Sequence, residues 1–128
     1  MRELLLVDDQ SVDLKNATEV AEALGFDKIH TRNSIDAART LLEEGLAGNG
    51  SLPDGIVLDL DLGMDSGFEL LRMWHSTPRL ATIPILVWSV LDQQKEMCEL
   101  FKVTCFVSKW EGMGAFREKL SQLIPPSQ

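Results

Sequence analysis

Four short apolar runs, each stopping at a polar residue, constrain the fold of this 128-residue chain more than any other feature. The runs lie at 4–7, 56–58, 83–88 and 105–107, and a weaker candidate lies at 28–30. Short apolar runs without alternation are typical of strands that are buried on both faces of a parallel sheet. The sequence therefore predicts five short strands.

Apolar residues recur at helical spacing after each predicted strand. They predict helices at 11–24, from Ser34 as the capping residue through Leu42, at 66–75, at 92–101 and at 113–124. Val12 and Leu100 are expected on apolar helix faces. Alternating strands and helices predict an α/β fold with a parallel sheet covered on both faces. The length suits one domain, predicted over 1–124, with a short tail at 125–128.

Composition excludes several classes of protein. The net charge is −8, from 20 acidic and 12 basic residues without a basic cluster, which opposes direct binding to nucleic acid. No apolar stretch approaches the roughly 18 residues of a membrane span, and no secretory signal is visible. Cys98 and Cys105 are too few for a disulfide framework. We therefore expect reduced thiols, a cytoplasmic location and no membrane partner.

Polar residues gather where the predicted strands end. In open parallel sheets, ligands bind beyond the carboxyl ends of the strands, at the point where strand order reverses. The residues there are carboxylates, one hydroxyl and one ammonium: Asp8, Asp9, Asp59, Asp61, Ser89 and Lys109. Packed carboxylates raise one another's pKa values unless a cation is present, and Mg²⁺ prefers oxygen ligands. A lysine and a serine suit phosphoryl oxygens, so the pattern predicts phosphoryl transfer to a carboxylate.

Four motifs in order make this chain resemble the receiver domains of two-component response regulators over essentially its whole length. The matching segments are Leu-Leu-Val-Asp-Asp at 5–9, Val-Leu-Asp-Leu-Asp-Leu at 57–62 followed by Gly67, Ile-Pro-Ile-Leu-Val-Trp-Ser at 83–89, and Phe-Val-Ser-Lys at 106–109. The resemblance implies a flavodoxin-like, doubly wound (βα)5 fold with a five-stranded parallel sheet of order 2-1-3-4-5. It also implies that Asp59 accepts a phosphoryl group from a histidine kinase or a histidine phosphotransfer protein.

The resemblance assigns roles to the remaining site residues. Asp9 is expected to bind Mg²⁺ directly, Asp8 mainly through water, and Asp61 through its backbone carbonyl. Lys109 matches the family's invariant lysine, Ser89 its switch hydroxyl and Phe106 its aromatic switch. Such a protein catalyses its own Mg²⁺-dependent phosphorylation and dephosphorylation and is not an enzyme acting on free substrates.

The chain departs from the family pattern near the site. Trp110 stands where proline is usual, so we expect a trans peptide bond and an exposed indole. Val90 replaces a small residue, and slow self-phosphorylation from acetyl phosphate is expected. Gly63 replaces a common proline, and Lys102 and Val103 replace a usual Gly-Ala. The long loop before Asp54 and the missing proline also resemble, more loosely, the small regulators that serve bacterial phytochrome kinases.

The expected function is that of a single-domain receiver, either a stand-alone protein or a domain of a longer one. It would signal by phosphorylation-dependent contact with an unknown downstream protein, with a homodimer through the fourth helix, fifth strand and fifth helix as one form of output. The alternative is a pseudo-receiver, a constitutive interaction module that is never phosphorylated. A phosphatase of the phosphoaspartate type fits less well, because no cap insertion is visible. His30 and His75 are expected to be structural or surface residues, and Trp74 and Trp88 to be core residues.

Overall fold

The computed structural model describes residues 2–62, 65–90, 95–103 and 105–124. Strands are β1 (Glu3–Val7), β2 (Lys28–Arg32), β3 (Gly55–Leu58), β4 (Asp61–Leu62), β5 (Asp65–Ser66), β6 (Ile85–Ser89) and β7 (Cys105–Ser108). Helices are α1 (Ser11–Ala23), α2 (Ile35–Leu46), α3 (Gly67–Ser76), α4 (Pro78–Ala81), α5 (Lys95–Leu100) and α6 (Met113–Leu123). Gly63, the predicted helical residues 92–94 and the tail at 125–128 lie outside the described residues.

Five strands form one parallel sheet in the order β2-β1-β3-β6-β7. Counting the strands of this sheet alone, the order is 2-1-3-4-5, so the predicted flavodoxin-like (βα)5 fold is confirmed. All five predicted strands are present, including the weak candidate at 28–30, which forms the edge strand β2. The short strands β4 and β5 pair with each other in a separate antiparallel hairpin, which the sequence analysis did not predict.

The sheet is buried between two apolar layers because successive side chains of a strand point to opposite faces. In β1, Leu5 and Val7 face α2 and α3, whereas Leu4 and Leu6 face α1 and α6. All four residues are at most 1% exposed. This two-sided burial explains why the strands are apolar throughout rather than alternating.

Helix α1 rests on the sheet through small residues. Ala17 and Ala21 are buried there, but Val12 is 68% exposed, so its predicted place on the apolar face was wrong. Val12 precedes Ala17 by five residues, which places it about 140° around the helix. The same prediction was wrong for Leu100, which is 70% exposed because it lies two residues, about 200°, from the buried Cys98.

Local chemistry accounts for two helix ends. Ser34 caps α2 as predicted, since its hydroxyl accepts a hydrogen bond from the Ala37 amide at 3.1 Å. After α5, Lys102 has a positive φ of 67°, a conformation that glycine adopts more readily. This backbone angle is the physical reason for a glycine preference at the position where this chain carries lysine.

The tryptophans predicted to be core residues and the two cysteines lie mainly in the core. Trp74 and Trp88 are buried, and the Trp74 indole donates to the Ile83 carbonyl at 2.9 Å. Cys98 and Cys105 are free thiols, and burial raises the pKa of Cys98 to about 11, which makes it unreactive. Among the described residues, no helix combines the length and apolar character needed to cross a membrane.

Candidate functional site

The sheet itself positions the two central acids. Asp8 and Asp59 follow β1 and β3, which are neighbours at the centre of the sheet. The Asp59 amide donates to the Val7 carbonyl at 2.9 Å, and the Asp8 amide donates to the Arg32 carbonyl at 3.1 Å. These bonds extend the strand ladder by one residue, so both carboxylates are held at the same edge, where they are 3–4% exposed.

Lys109 joins three carboxylates at this edge. Its ammonium nitrogen lies 2.6 Å from Asp8 Oδ2, 2.7 Å from Asp13 Oδ2 and 3.1 Å from Asp59 Oδ2. It also lies 4.9 Å from the centre of the Trp88 ring, within the range of a cation–π contact. The lysine therefore places one compact positive charge directly beside Asp59.

A single 3-10 turn at Lys109–Glu111 aims Lys109 inward and Trp110 outward. Ser108 caps this turn reciprocally with Glu111: the Ser108 hydroxyl accepts from the Trp110 amide, and the Ser108 amide donates to the Glu111 carboxylate. Trp110 is 79% exposed, and no peptide bond of the described residues is cis, as the sequence analysis expected. The turn therefore needs no proline after the lysine.

Three carboxylates can converge on one cation. Ligand oxygens of Asp8, Asp9 and Asp59 all lie within 4.8 Å of one another, with Asp9 exposed and the other two buried. The Asp61 amide donates to Asp59 Oδ1 at 3.0 Å, and the Gln10 amide donates to Asp8 Oδ1 at 2.9 Å, which fixes both buried carboxylates. An all-oxygen set of this kind fits a hard divalent cation.

The electrostatics of the site favour an added positive charge. Burial raises the pKa of Asp8 to about 6 and raises the pKa of Asp59, although the hydrogen bonds that both carboxylates accept act in the opposite direction. Burial alone would lower the pKa of Lys109, but its hydrogen bonds to Asp13 and Asp8 and the charge of Asp59 outweigh burial and raise it. The single positive charge of Lys109 therefore does not neutralise the carboxylates of Asp8, Asp13 and Asp59 that surround it.

The predicted switch residues flank the acids. Ser89 ends β6, is fully buried and hydrogen-bonds Asp59, which lowers the pKa of that carboxyl. Phe106 lies half-buried in β7, opposite Val87, and borders a cavity of about 370 Å³ between α5 and α6. The switching roles of Ser89 and Phe106 stay predictions.

A second cavity, of about 420 Å³, opens over the acids. Its lining combines four acids, a lysine and a glutamine with one apolar side chain: Asp9, Gln10, Asp13, Asp59, Asp61, Val90 and Lys109. Val90, 36% exposed, stands directly beside the approach to Asp59. Asp61 is exposed in this lining, and binding of a metal by its backbone carbonyl stays a prediction.

The structure brings together Asp8, Asp9, Asp59, Asp61, Ser89 and Lys109, which were predicted from the sequence, and adds Asp13 and Gln10, which were not. Asp13 follows Asp9 by four residues, but Asp9 precedes α1, so helical spacing gives no signal that Asp13 reaches Lys109. The two histidines lie elsewhere, as expected. His30 is 3.8 Å from Glu3, and His75 packs edge-on against Phe101.

Comparisons with known proteins point to one class. No family model matches the chain. Response regulator Rcp1 of Synechocystis sp. is 28% identical over 110 residues, covering 83% of this chain and 75% of Rcp1. The polar-differentiation response regulator DivK of Brucella anthropi is 27% identical over 85 residues, which cover 66% of this chain and 63% of DivK.

Solved structures share the fold over nearly the whole chain. The Mn²⁺-bound form of Rcp1 superposes with a TM-score of 0.82 at 24% identity and covers 99% of this chain and 98% of its own. The phosphorylated cyanobacterial phytochrome response regulator RcpA gives a TM-score of 0.83 at 24% identity, with 99% and 96% coverage. The chain thus has the fold of receiver domains, and its sequence is similar to response regulators of two-component systems. Phytochrome response regulators are among the proteins that it resembles.

Proposed function

We propose that this receiver accepts a phosphoryl group on Asp59 from a histidine kinase or a histidine phosphotransfer protein and signals through phosphorylation-dependent protein contacts. The observation that carries the proposal is the position of the Lys109 ammonium, 3.1 Å from the buried Asp59 carboxylate at the floor of an open cavity. The Lys109 ammonium beside this buried carboxylate would stabilise the negative charge of a phosphoryl group on Asp59.

In the proposed step, an oxygen of Asp59 attacks the phosphorus of a phosphohistidine. A P–O bond forms as the P–N bond breaks, the electron pair of the broken bond goes to the imidazole nitrogen, and an aspartyl phosphate results. Lys109 and the Ser89 hydroxyl would bind oxygens of the transferred group, and their contacts with Asp59 support these roles. Such a step depends on positioning and charge stabilisation more than on proton transfer.

Mg²⁺ is the proposed cofactor. Asp9 and Asp59 would hold it directly, Asp8 mainly through water, and the Asp61 carbonyl would complete the protein ligands. When bound, the ion would neutralise the negative charge of the clustered carboxylates that Lys109 leaves uncompensated. Mn²⁺ in the structure of Rcp1 supports a divalent ion at this kind of site.

The proposed output is a change at the surface formed by α5, β7 and α6. Movement of Ser89 toward the phosphoryl group would let Phe106 turn into the adjoining cavity and alter this surface. A downstream protein or a second copy of the chain would then bind there. Trp110, exposed beside Lys109, offers a further contact for a partner.

Titration with beryllofluoride, a phosphoryl mimic, tests the proposal at equilibrium. We expect Trp88 fluorescence to respond in the presence of Mg²⁺, because Lys109 lies against that ring, and we expect Asp59→Asn to lose the response. Trp110→Phe is the control that assigns the signal to a buried indole. If the fluorescence of the wild-type protein does not respond to beryllofluoride and Mg²⁺, the result would favour a pseudo-receiver that acts as a constitutive interaction module.

Val90 is expected to restrict small phosphodonors. Val90→Ala opens the approach to Asp59, so labelling by acetyl phosphate should become several-fold faster, whereas transfer from a protein donor should change little. The measurement is the time course of intact-protein mass with acetyl phosphate and Mg²⁺. Labelling of the wild type within seconds, or equal rates for both proteins, would contradict a gate at this position.

A further inference from the structure

Asp13 lies beside Lys109 but outside the metal cluster. It stands in the first turn of α1, and its Oδ2 is 2.7 Å from the Lys109 nitrogen, closer than Asp59 at 3.1 Å. Among the described residues, the acids that converge within 4.8 Å as a metal set are Asp8, Asp9 and Asp59. Asp13 therefore contacts the site through the lysine.

The lysine has no hydrogen-bond donor to spare. An ammonium group carries three N–H bonds, and three carboxylates lie within hydrogen-bonding distance: Asp8 at 2.6 Å, Asp13 at 2.7 Å and Asp59 at 3.1 Å. When Asp59 carries the phosphoryl group, the donor that it holds can pass to a phosphoryl oxygen, and a second bond from Lys109 to that group requires release of Asp8 or Asp13. The arrangement is thus a competition for one cation.

Burial decides which carboxylate gives way. The side chain of Asp8 is 4% exposed, and a buried carboxylate that loses its cation is left uncompensated at high cost. The side chain of Asp13 is 29% exposed, so water can replace the ammonium there at lower cost. Asp13 is the contact that Lys109 can release most readily.

We propose that Asp13 is a positioning residue that competes with the phosphoryl group for Lys109 and so weakens the hold of the site on that group. This inference rests on the proposed function, since it concerns the same phosphorylated state. Its consequence is a less stable phosphorylated or mimic-bound form than the same site would have without the carboxylate at position 13.

The test is the affinity for beryllofluoride of the full chain at saturating Mg²⁺, compared between wild type, Asp13→Asn, Asp13→Glu and Asp36→Asn. Asp13→Asn keeps the size of the side chain and removes its charge, so we expect binding about two- to fivefold tighter. Asp13→Glu keeps the charge and should stay near the wild type. Asp36 is an exposed acid in the first turn of α2, paired with Arg39, and provides a matched change of net charge away from the site.

A second readout separates competition at Lys109 from a general change in folding or in metal binding. Removing a negative charge near a metal site cannot strengthen Mg²⁺ binding electrostatically, so Mg²⁺ affinity without fluoride should stay equal or fall in Asp13→Asn while beryllofluoride affinity rises. Beryllofluoride binding that is unchanged or weaker in Asp13→Asn, or equally tightened in Asp36→Asn, would overturn the inference and leave the proposed function standing. Failure of the wild type to bind beryllofluoride would overturn both.

Discussion

Lys109→Met is expected to slow phosphoryl uptake by on the order of 10²- to 10³-fold, the usual cost of losing a preorganised charge stabiliser. It should also lower the free energy of unfolding in metal-free buffer at neutral pH by about 3–5 kcal/mol. The reason is that Lys109 is the cation hydrogen-bonded to both Asp8 and Asp59, which are almost fully buried. Methionine keeps the bulk of the side chain and removes its charge.

The loss of stability in Lys109→Met should depend on pH with a definite sign. A carboxyl group whose folded pKa is raised contributes stability below its unfolded value, and that contribution is lost as pH rises through the folded value. For Asp8 this pH window runs from the unfolded pKa of 3.8 to the folded pKa of about 6. Removal of the Lys109 ammonium raises the folded pKa further. The difference between variant and wild type should therefore be smallest near pH 3.8 and largest above pH 6.

Urea denaturation in EDTA at several pH values measures this effect. Lys15→Met, which removes an exposed lysine from α1, is the matched control and should change stability little. If Lys109→Met and Lys15→Met lower the free energy of unfolding equally at every pH, the contacts of Lys109 with the three carboxylates do not stabilise the fold.

Gly67→Ala is expected to destabilise the fold by about 3 kcal/mol through overpacking. A methyl group at Gly67 would lie 2.6 Å from the Asp59 carbonyl oxygen and 2.7 Å from the Leu60 Cα. Both atoms belong to the backbone that carries Asp59, the proposed phosphoacceptor, so relief of the clash must move that segment or the start of α3. Phosphoryl uptake should therefore fall together with stability.

Gly114→Ala is the matched control because a methyl group there meets no atom within 4 Å, and the residue lies in α6. Alanine in a helix should leave stability unchanged or raise it by up to about 1 kcal/mol. Chemical denaturation of the two variants measures the contrast. Similar behaviour of Gly67→Ala and Gly114→Ala would contradict close packing of α3 on the Asp59 segment.

The strands were predictable because the sheet is covered on both faces, which leaves unbroken apolar runs such as Leu4–Leu5–Leu6–Val7. Much of the site was predictable for a related reason: parallel strands end at one edge, which brings together the polar residues at the carboxyl ends of β1, β3, β6 and β7. Burial of Asp8, Asp59 and Ser89 is a consequence of that topology.

Other features depend on packing that the sequence does not display. Asp13 reaches Lys109 because α1 is seated on Ala17 and Ala21, whereas in the sequence it looks like an ordinary solvated acid in a first helical turn. The outward positions of Val12 and Leu100 likewise follow from which residue of each helix meets the sheet. The short helix α4 escaped prediction because it has four residues, fewer than a helical period can reveal.

The measurement that tests the central claim most directly is intact-protein mass, with the modified residue located by fragmentation, after treatment with a phosphodonor in Mg²⁺ or EDTA. We predict one phosphoryl group on Asp59 in the wild type, dependence on the divalent ion, full loss in Asp59→Asn and retention in the control Asp36→Asn. Absence of a phosphoryl group from the wild type with both small and protein donors, or its persistence in Asp59→Asn, would contradict the assignment of Asp59 as the phosphoacceptor.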